Sequence, residues 1–265
     1  MKMIPPTIDK NTPLGEKEVF QLLQSTNTTN FKDWIVFHSL NYPPETKKSE
    51  KKSYNFFGES DFVIFVPTKG LINIEVKGGR ISRQEGIWCT ENRFGKHKIK
   101  DPFKQASKSL FHIGDFLEDI MDNNIRKMAE YCKSSGINFR PHTKHHKSPI
   151  IAHKQIDSGA IGICCQKLGE AEVMVSSGVR DVLITYEIIG DIKIKRLMAL
   201  CKLSNIIVTV DSKNNVKDLS EAAKSYDVKL GILLDVNVGQ NRCGIEPDDF
   251  VVELAKFVQL SDNLE

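Results

Sequence analysis

The chain has 265 residues, 40% of them hydrophobic and 27% charged, with a net charge of +3. That is the composition of an ordinary soluble globular protein, with room for one large or two medium domains. No run of about 18 apolar residues occurs, so no membrane span is expected.

Met1 to Thr12 is polar and proline-containing and lacks the apolar core of a signal peptide. The six cysteines (Cys89, Cys132, Cys164, Cys165, Cys201 and Cys243) show no CxxC spacing and lie mostly in apolar stretches. They read as buried thiols of a reducing compartment, and a cytoplasmic location is expected. Charge is uneven. Residues 1–115 hold 18 Lys+Arg against 13 Asp+Glu, and the remainder holds 19 against 21. The basic half is compatible with a polyanion such as nucleic acid, although much of its excess lies in the Lys47–Lys52 run, which also reads as a solvated loop.

The first module is expected over residues 12–112. Gly15 to Leu23 has the apolar spacing of an amphipathic helix, with Glu16 at the edge of its buried face. Trp34 to Leu40 reads as a strand, and the polar Asn41 to Gly58 with Pro43-Pro44 as a loop. Asp61 to Val66 and Leu71 to Lys77 are two strands joined by Pro67-Thr68-Lys69-Gly70, a hairpin by pattern.

In the second of these strands Ile72, Ile74 and Val76 share one face, while Glu75 and Lys77 share the other. Asp61 begins the partner strand. An Asp, a Glu and a Lys converging at a hairpin can hold Mg²⁺ through carboxylate oxygens and stabilise an attacking water. A solvent-facing, salt-bridged strand would give the same spacing.

Leu14-Gly15-Glu16, Ser60-Asp61-Phe62, Gly70, Ile74-Glu75-Val76-Lys77-Gly78-Gly79, Gly86-Ile87-Trp88 and Asp101-Pro102-Phe103-Lys104-Gln105 resemble the nuclease-related domain. The likeness covers about Leu14 to Leu110 and implies a PD-(D/E)XK-like α/β sandwich. It implies that Asp61 and Glu75 are metal ligands for Mg²⁺. Lys77 would stabilise the attacking water or the transition-state charge, and Glu16 and Gln105 would be supporting site residues.

The second module is expected over residues 116–265. A helix pattern, Asn123 to Cys132, is stopped by Ser134-Ser135-Gly136, and Ile137-Asn138-Phe139 starts an extended segment. Arg140-Pro141-His142-Thr143-Lys144-His145-His146-Lys147 follows. Lys144 then stands at the C-terminal end of a strand, the active-site end in a β/α barrel. A lysine there, partly desolvated and crowded by other cations, would have a lowered pKa and attack an aldehyde. A solvated Lys/His surface, or a small metal site from His142 and His146, are the alternatives.

Strand and helix patterns then alternate. Ala160 to Cys165, Asp181 to Thr185, Ile206 to Val210 and Gly231 to Val236 read as buried strands. Gly169 to Ser176, Lys193 to Cys201, Val216 to Tyr226 and Asp248 to Phe257 read as helices. Near-continuous apolar strands alternating with helices mean a parallel sheet or barrel, here with about five β/α units. Polar residues collect just past the strand ends: Lys144, Tyr186-Glu187, Asp211-Ser212 and Asn237 to Arg242. Asp211-Ser212 also reads as a helix cap.

Asn124 to Ala129, Arg140-Pro141-His142-Thr143-Lys144, His146-Lys147, Gly159-Ala160 and Gly169-Glu170-Ala171-Glu172 resemble the D-threonine aldolase/D-serine dehydratase family. These are pyridoxal-phosphate enzymes with an alanine-racemase-like barrel, and the likeness covers roughly Phe116 to Leu260. It implies that Lys144 forms the Schiff base with pyridoxal 5'-phosphate and that Arg242 lies near the phenolic oxygen of its ring. His142 and Gln166 would line the pocket. The chain departs from the family at His145, where Thr is usual, and at Tyr186, where Asn is frequent.

The resemblance implies a D-amino-acid substrate of the 3-hydroxy class. It also implies later barrel strands, phosphate-binding loops, metal ligands and a β-rich domain beyond residue 265. A closed barrel takes about 250 residues. The expectation is therefore a truncated module that exposes sheet edges and apolar faces. A homo-oligomer or another completing partner would cover them. Three readings stand: a pyridoxal-phosphate lyase, a Mg²⁺-dependent nuclease, and a non-catalytic nucleic-acid-binding fusion.

Overall fold

The computed structural model describes residues 1–25, 31, 33–42, 58–67 and 69–265. The Lys47–Lys52 run, and most of the loop expected over Asn41 to Gly58, lie outside the described residues. The chain divides into two compact units, Met1–Met121 and Asp122–Glu265.

The first unit is built on a four-stranded sheet in the order β1-β2-β3-β4. β1 (Lys2–Ile4) runs parallel to β2 (Ile35–Tyr42), and β3 (Gly58–Val66) pairs antiparallel with β2 and with β4 (Gly70–Ile74). The β3–β4 pair is the expected hairpin. Helix α1 (Leu14–Ser25) buries Phe20 against Val36, Phe62, Ile64 and Val66, and Ile74 and Val76 pack on the same cluster.

One expectation needs correction. Glu75 and Lys77 lie beyond the end of β4, because regular pairing stops at Ile74 opposite Phe62. Ile72 and Ile74 share a face as expected; on this edge strand Ile72 is 44% exposed, while Ile74 packs on the Phe20 cluster. β1, from the polar N-terminus, lacked any apolar pattern long enough to mark it.

Three further strands, β5 (Arg80–Gln84), β6 (Ile87–Asn92) and β7 (Gly95–Lys98), form a separate antiparallel sheet. Glu85 and Gly86 have φ of 47° and 82°, the paired positive values of the tight hairpin turn that fits strand twist.

Helix α2 (Pro102–Ser134) absorbs the expected helix at Asn123 to Cys132 into a single 33-residue element. Its start is set locally: Asp101 Oδ1 accepts from Phe103 N at 3.0 Å and from Lys104 N at 3.2 Å, and Pro102 opens the first turn. The boundary between the two units falls within this helix. Gly136, at φ 66°, ends it.

The second unit alternates helix and strand. α3 (Pro149–Asp157), β8 (Ile163–Cys165), α4 (Leu168–Ser176), β9 (Asp181–Ile184), α5 (Asp191–Cys201), β10 (Asn205–Val210), α6 (Lys213–Ser225), β11 (Gly231–Leu234) and α7 (Asp249–Gln259) follow in order. The strands lie in the sequential order β11-β10-β9-β8, all parallel. The segment before Lys144 joins the other side of β8 through the His142–Cys164 bridge, with Thr143 N donating to Cys164 O at 2.8 Å. At the opposite edge, Leu264 bridges to Leu230.

One face of this sheet is buried. Val182, Ile184, Ile206, Val208 and Val210 pack with Leu168, Leu197, Leu219 and Leu254 from the helices. The intervening strand residues point the other way, and among them Leu233 is 46% exposed.

Ser212 is the N-cap of α6, accepting from Asn215 N at 3.4 Å, so the cap reading of Asp211-Ser212 holds. α3 went unmarked in the sequence, although Ser148 caps it and Pro149 opens it. Gly162 has a packing reason. A Cβ there would lie 2.6 Å from Asp181 Oδ1 and 2.7 Å from Asp181 O, in the space where Arg140 reaches Asp181. Of the cysteines, Cys164 and Cys165 are buried, the other four are intermediate, and all are free. Among the described residues no helix is long and apolar enough to cross a membrane.

Candidate functional sites

In the first unit, the end of β4 brings together residues far apart in sequence. Asp61 Oδ2 accepts from Val76 N at 2.6 Å, which ties the segment just past β4 to β3. Glu75 Oε2 accepts from Gln105 Nε2 at 2.8 Å, and Lys77 Nζ lies 3.4 Å from the same oxygen. Gln105 can do this because the Asp101-Pro102 cap fixes the first turn of α2. The Glu75 side chain is only 3% exposed, and its Oε1 is buried with no hydrogen-bond partner among the described residues. Burial raises the Glu75 pKa above its ordinary value and the neighbouring Asp61 charge raises it further; Lys77 opposes both.

Glu16 stands on the first turn of α1. A Cβ on Gly15 would lie 3.1 Å from Val76 Cγ1, so this turn packs directly against the Glu75 segment. Glu16 Oε2 is 3.0 Å from Nε2 of His38, which is 7% exposed and lies between the rings of Phe20 and Phe62 at 5.8 and 4.9 Å. His38 was missed in the sequence. The signal was a lone His within Ile35-Val36-Phe37-His38, an otherwise apolar strand. Asp61, Glu75, Lys77 and Gln105 are thus linked directly to one segment, and Glu16 is packed against it. Two carboxylates that repel each other, with one buried oxygen unspent, make a donor set suited to a hard divalent cation.

In the second unit, the polar residues after the parallel strands all follow C-terminal strand ends, the rim where ligands bind in parallel α/β proteins. His142 Nε2 is 3.2 Å from Thr185 Oγ1 across the β8 strand, and His142 Nδ1 accepts from Lys144 N at 3.2 Å. Burial lowers the His142 pKa and the Lys144 charge lowers it further.

Lys144 itself is exposed, not partly desolvated as expected. In the turn 143–146 it is Thr143 that points inward, with its hydroxyl bonded to Cys164 O at 3.0 Å, and this turns Lys144 out. His146 Nδ1 accepts from Ser148 N at 3.1 Å, and among the described residues neither histidine belongs to a cluster of three metal-ligating side chains. Gln166 is exposed, and its backbone N donates to Glu170 Oε2 at 2.9 Å.

Glu187, Asp235 and Cys243 bring ligand atoms within 4.8 Å of one another. Burial raises the Glu187 pKa, with Asp211 and Asp235 adding to it. Arg242 is exposed; a hydrogen bond to Cys243 and the charge of Asp235 favour its cationic form. Asp235 and Cys243 had carried no signal in the sequence, because an Asp closing a strand and a Cys in a glycine-rich loop look like turn chemistry.

Comparisons with known proteins find a match for each half of the chain. Residues 13–132 match the nuclease-related domain, and residues 118–265 match the alanine racemase N-terminal domain. The chain is 40% identical over 148 residues to 3-hydroxy-D-aspartate aldolase of Paracoccus denitrificans (strain Pd 1222), covering 55% of this chain and 38% of that protein. It is 38% identical over 133 residues to D-threonine aldolase of an Arthrobacter species, covering 50% of this chain and 35% of that protein. The crystal structure of D-threonine aldolase from Filomicrobium marinum aligns with a TM-score of 0.55 at 42% identity, over 56% of this chain and 40% of that one. The chain therefore spans well under half the length of these relatives. It belongs to the alanine racemase N-terminal domain family, and it carries a nuclease-related domain ahead of that one.

Proposed function

We propose that residues 118–265 form the lysine-bearing part of a pyridoxal-phosphate site of the lyase type, acting on D-3-hydroxy amino acids. The observation that carries this reading is Lys144, an accessible amine at the C-terminal ends of parallel strands. It lies in the stretch most like the aldolases. On this reading the sheet is an arc of a (β/α) barrel.

The residues present fit the cofactor. Lys144 supplies a free primary amine, and Arg242 supplies an exposed guanidinium on the same rim for an anionic ring oxygen. Thr209 Oγ1, near the end of β10, is buried with no hydrogen-bond partner among the described residues, so polar capacity remains in this sheet. When bound, the cofactor supplies an electron sink for the bonds at the substrate's Cα. The chain's own part is narrower. Lys144 would hold the cofactor's aldehyde, and Arg242 would compensate its ring oxygen. His142, kept neutral by burial and by Lys144, would line the pocket as an uncharged imidazole held by Lys144 N and Thr185. Gln166 would line the entrance.

The test is an absorbance spectrum of the purified protein with added pyridoxal phosphate, before and after borohydride, beside Lys144→Ala. A band that borohydride fixes, with the added mass mapped to Lys144, is expected for the wild type and lost in the variant. Equal labelling of other lysines in both proteins would overturn the reading.

The unspent Glu75 Oε1 favours a second activity for residues 13–132: Mg²⁺-dependent cleavage of nucleic acid on a PD-(D/E)XK-like core. Asp61 and Glu75 would hold the ion, and Lys77 would stabilise charge developing on the attacked phosphate. Gln105 orients Glu75, and Glu16 supports from α1. Nicking of supercoiled plasmid should require Mg²⁺ and fall by roughly 100-fold in Glu75→Ala, the size of losing one charge-stabilising group. Nicking that survives both chelator and substitution would reject it.

A further inference from the structure

Residues 80–100 hold six Lys/Arg against two Glu, and register decides which of them share a face. Arg80 lies opposite Glu91, Glu91 opposite Lys96, and Cys89 opposite Lys98. Directly opposed residues and residues two apart point the same way. One face of the β5–β7 sheet therefore presents Arg80, Lys96 and Lys98 around Glu91.

The other face is partly covered around Trp88 and Thr90. Arg83 sits 5.5 Å from the Trp88 ring centroid, Trp88 packs 5.7 Å from Phe103, and Thr90 donates to Gly78 O at 2.6 Å. On the basic face Arg80, Gln84, Ile87, Glu91, Lys96 and Lys98 are exposed, while Ser82 and Cys89 between them are half-buried. Lys96 donates to the neutral Gln84 at 2.8 Å. Among the described residues no carboxylate lies within ion-pair distance of Arg80, Lys96 or Lys98. Unpaired cations crowded on a small sheet repel one another, and a polyanion relieves that repulsion.

The β6–β7 turn adds an aromatic. Asn92 Oδ1 accepts from Phe94 N at 2.8 Å, Gly95 takes a φ of 112°, and Phe94 is left 74% exposed. The Arg93 guanidinium lies 4.7 Å from its ring centroid. Cations spaced two residues apart, about 7 Å along a strand, suit a phosphate backbone. An exposed ring beside them offers a stacking surface for an unpaired base, which a duplex would hide. Glu91, on the middle strand between Arg80 and Lys96, opposes burial of this face in a lipid surface.

We propose that this face of β5–β7, with the Arg93-Phe94 turn, binds single-stranded nucleic acid. Phosphates lie against Arg80, Lys96 and Lys98, and a base stacks on Phe94. The proposal does not rest on cleavage at Glu75, and its test is run in chelator so that the two fail separately.

Fluorescence anisotropy of a labelled oligothymidylate about 15 nucleotides long is measured on the full chain at several salt concentrations. Wild type is compared with Phe94→Ala, Lys96→Glu/Lys98→Glu, and a control of equal charge change, Lys193→Glu/Lys195→Glu, on α5. Circular dichroism melts confirm that each variant folds. The expected result is tighter binding of the single strand than of its duplex. Phe94→Ala should bind roughly tenfold more weakly. The Lys96→Glu/Lys98→Glu variant should bind at least as weakly, with its salt slope shallower by about 1.4. Equal losses in the control pair, a preference for duplex, or binding to phosphatidylserine vesicles without binding to the oligonucleotide would each overturn the proposal.

Discussion

The two candidate sites are built in opposite ways. At the end of β4, Asp61 and Gln105 from distant stretches are tied to the Glu75-Val76 segment by hydrogen bonds of 2.6 and 2.8 Å, around a carboxylate that is 3% exposed. On the strand-end rim of the second unit, topology alone collects the polar side chains, and Lys144, Gln166 and Arg242 all stay exposed. A buried site stores its readiness as unfavourable electrostatics, which a cation can relieve. An exposed rim stores little, and its precision has to come from the register of the sheet beneath it.

That contrast can be broken from either side. The largest effects are the losses expected in Glu75→Ala and Lys144→Ala, which should be independent: nicking lost in one, borohydride-fixed cofactor lost in the other. Gly162→Ala should follow. An added Cβ meets the Asp181 backbone at 2.7 Å and displaces the Arg140–Asp181 pair, a cost of about 2 kcal/mol for an overpacked position. Thermal melts should show the second unit unfolding earlier. Mg²⁺ affinity, measured by calorimetry, should stay unchanged; a drop in both would mean that the sites are not separate.

The pH dependence sharpens the comparison further. The Glu75 pKa is raised in the folded protein, so the folded state keeps this proton to higher pH than the unfolded chain. Without metal, stability therefore falls as pH rises from the ordinary carboxylate range through the raised folded value. Mg²⁺ must displace that proton, so its affinity should climb over the same window, and Glu75→Gln should flatten both curves. Melts at pH 4 to 8 with chelator and with Mg²⁺ would reverse this picture if metal-free stability rose through that window. The smallest effect is Ser212→Ala, which removes the α6 cap and should cost about 1 kcal/mol in the melt without touching either site.

Much of this protein is legible from residue order alone. Periods of apolar residues gave the parallel strands and most helices of the second unit within a few residues, because buried strands and amphipathic helices are local patterns. The Asp61, Glu75 and Lys77 set and the lysine at 144 were visible as charges placed where apolar runs end. Other features needed the tertiary structure. Only the packing of Thr143 against β8 decided that Lys144 points outward. Only the edge position of β4 left Ile72 exposed. The pairing of His38 with Glu16, the gathering of Glu187, Asp235 and Cys243, and the separation of Arg80, Lys96 and Lys98 from Arg83 depend on register and helix placement. These are set by contacts between residues tens of positions apart, and a linear pattern carries no record of them.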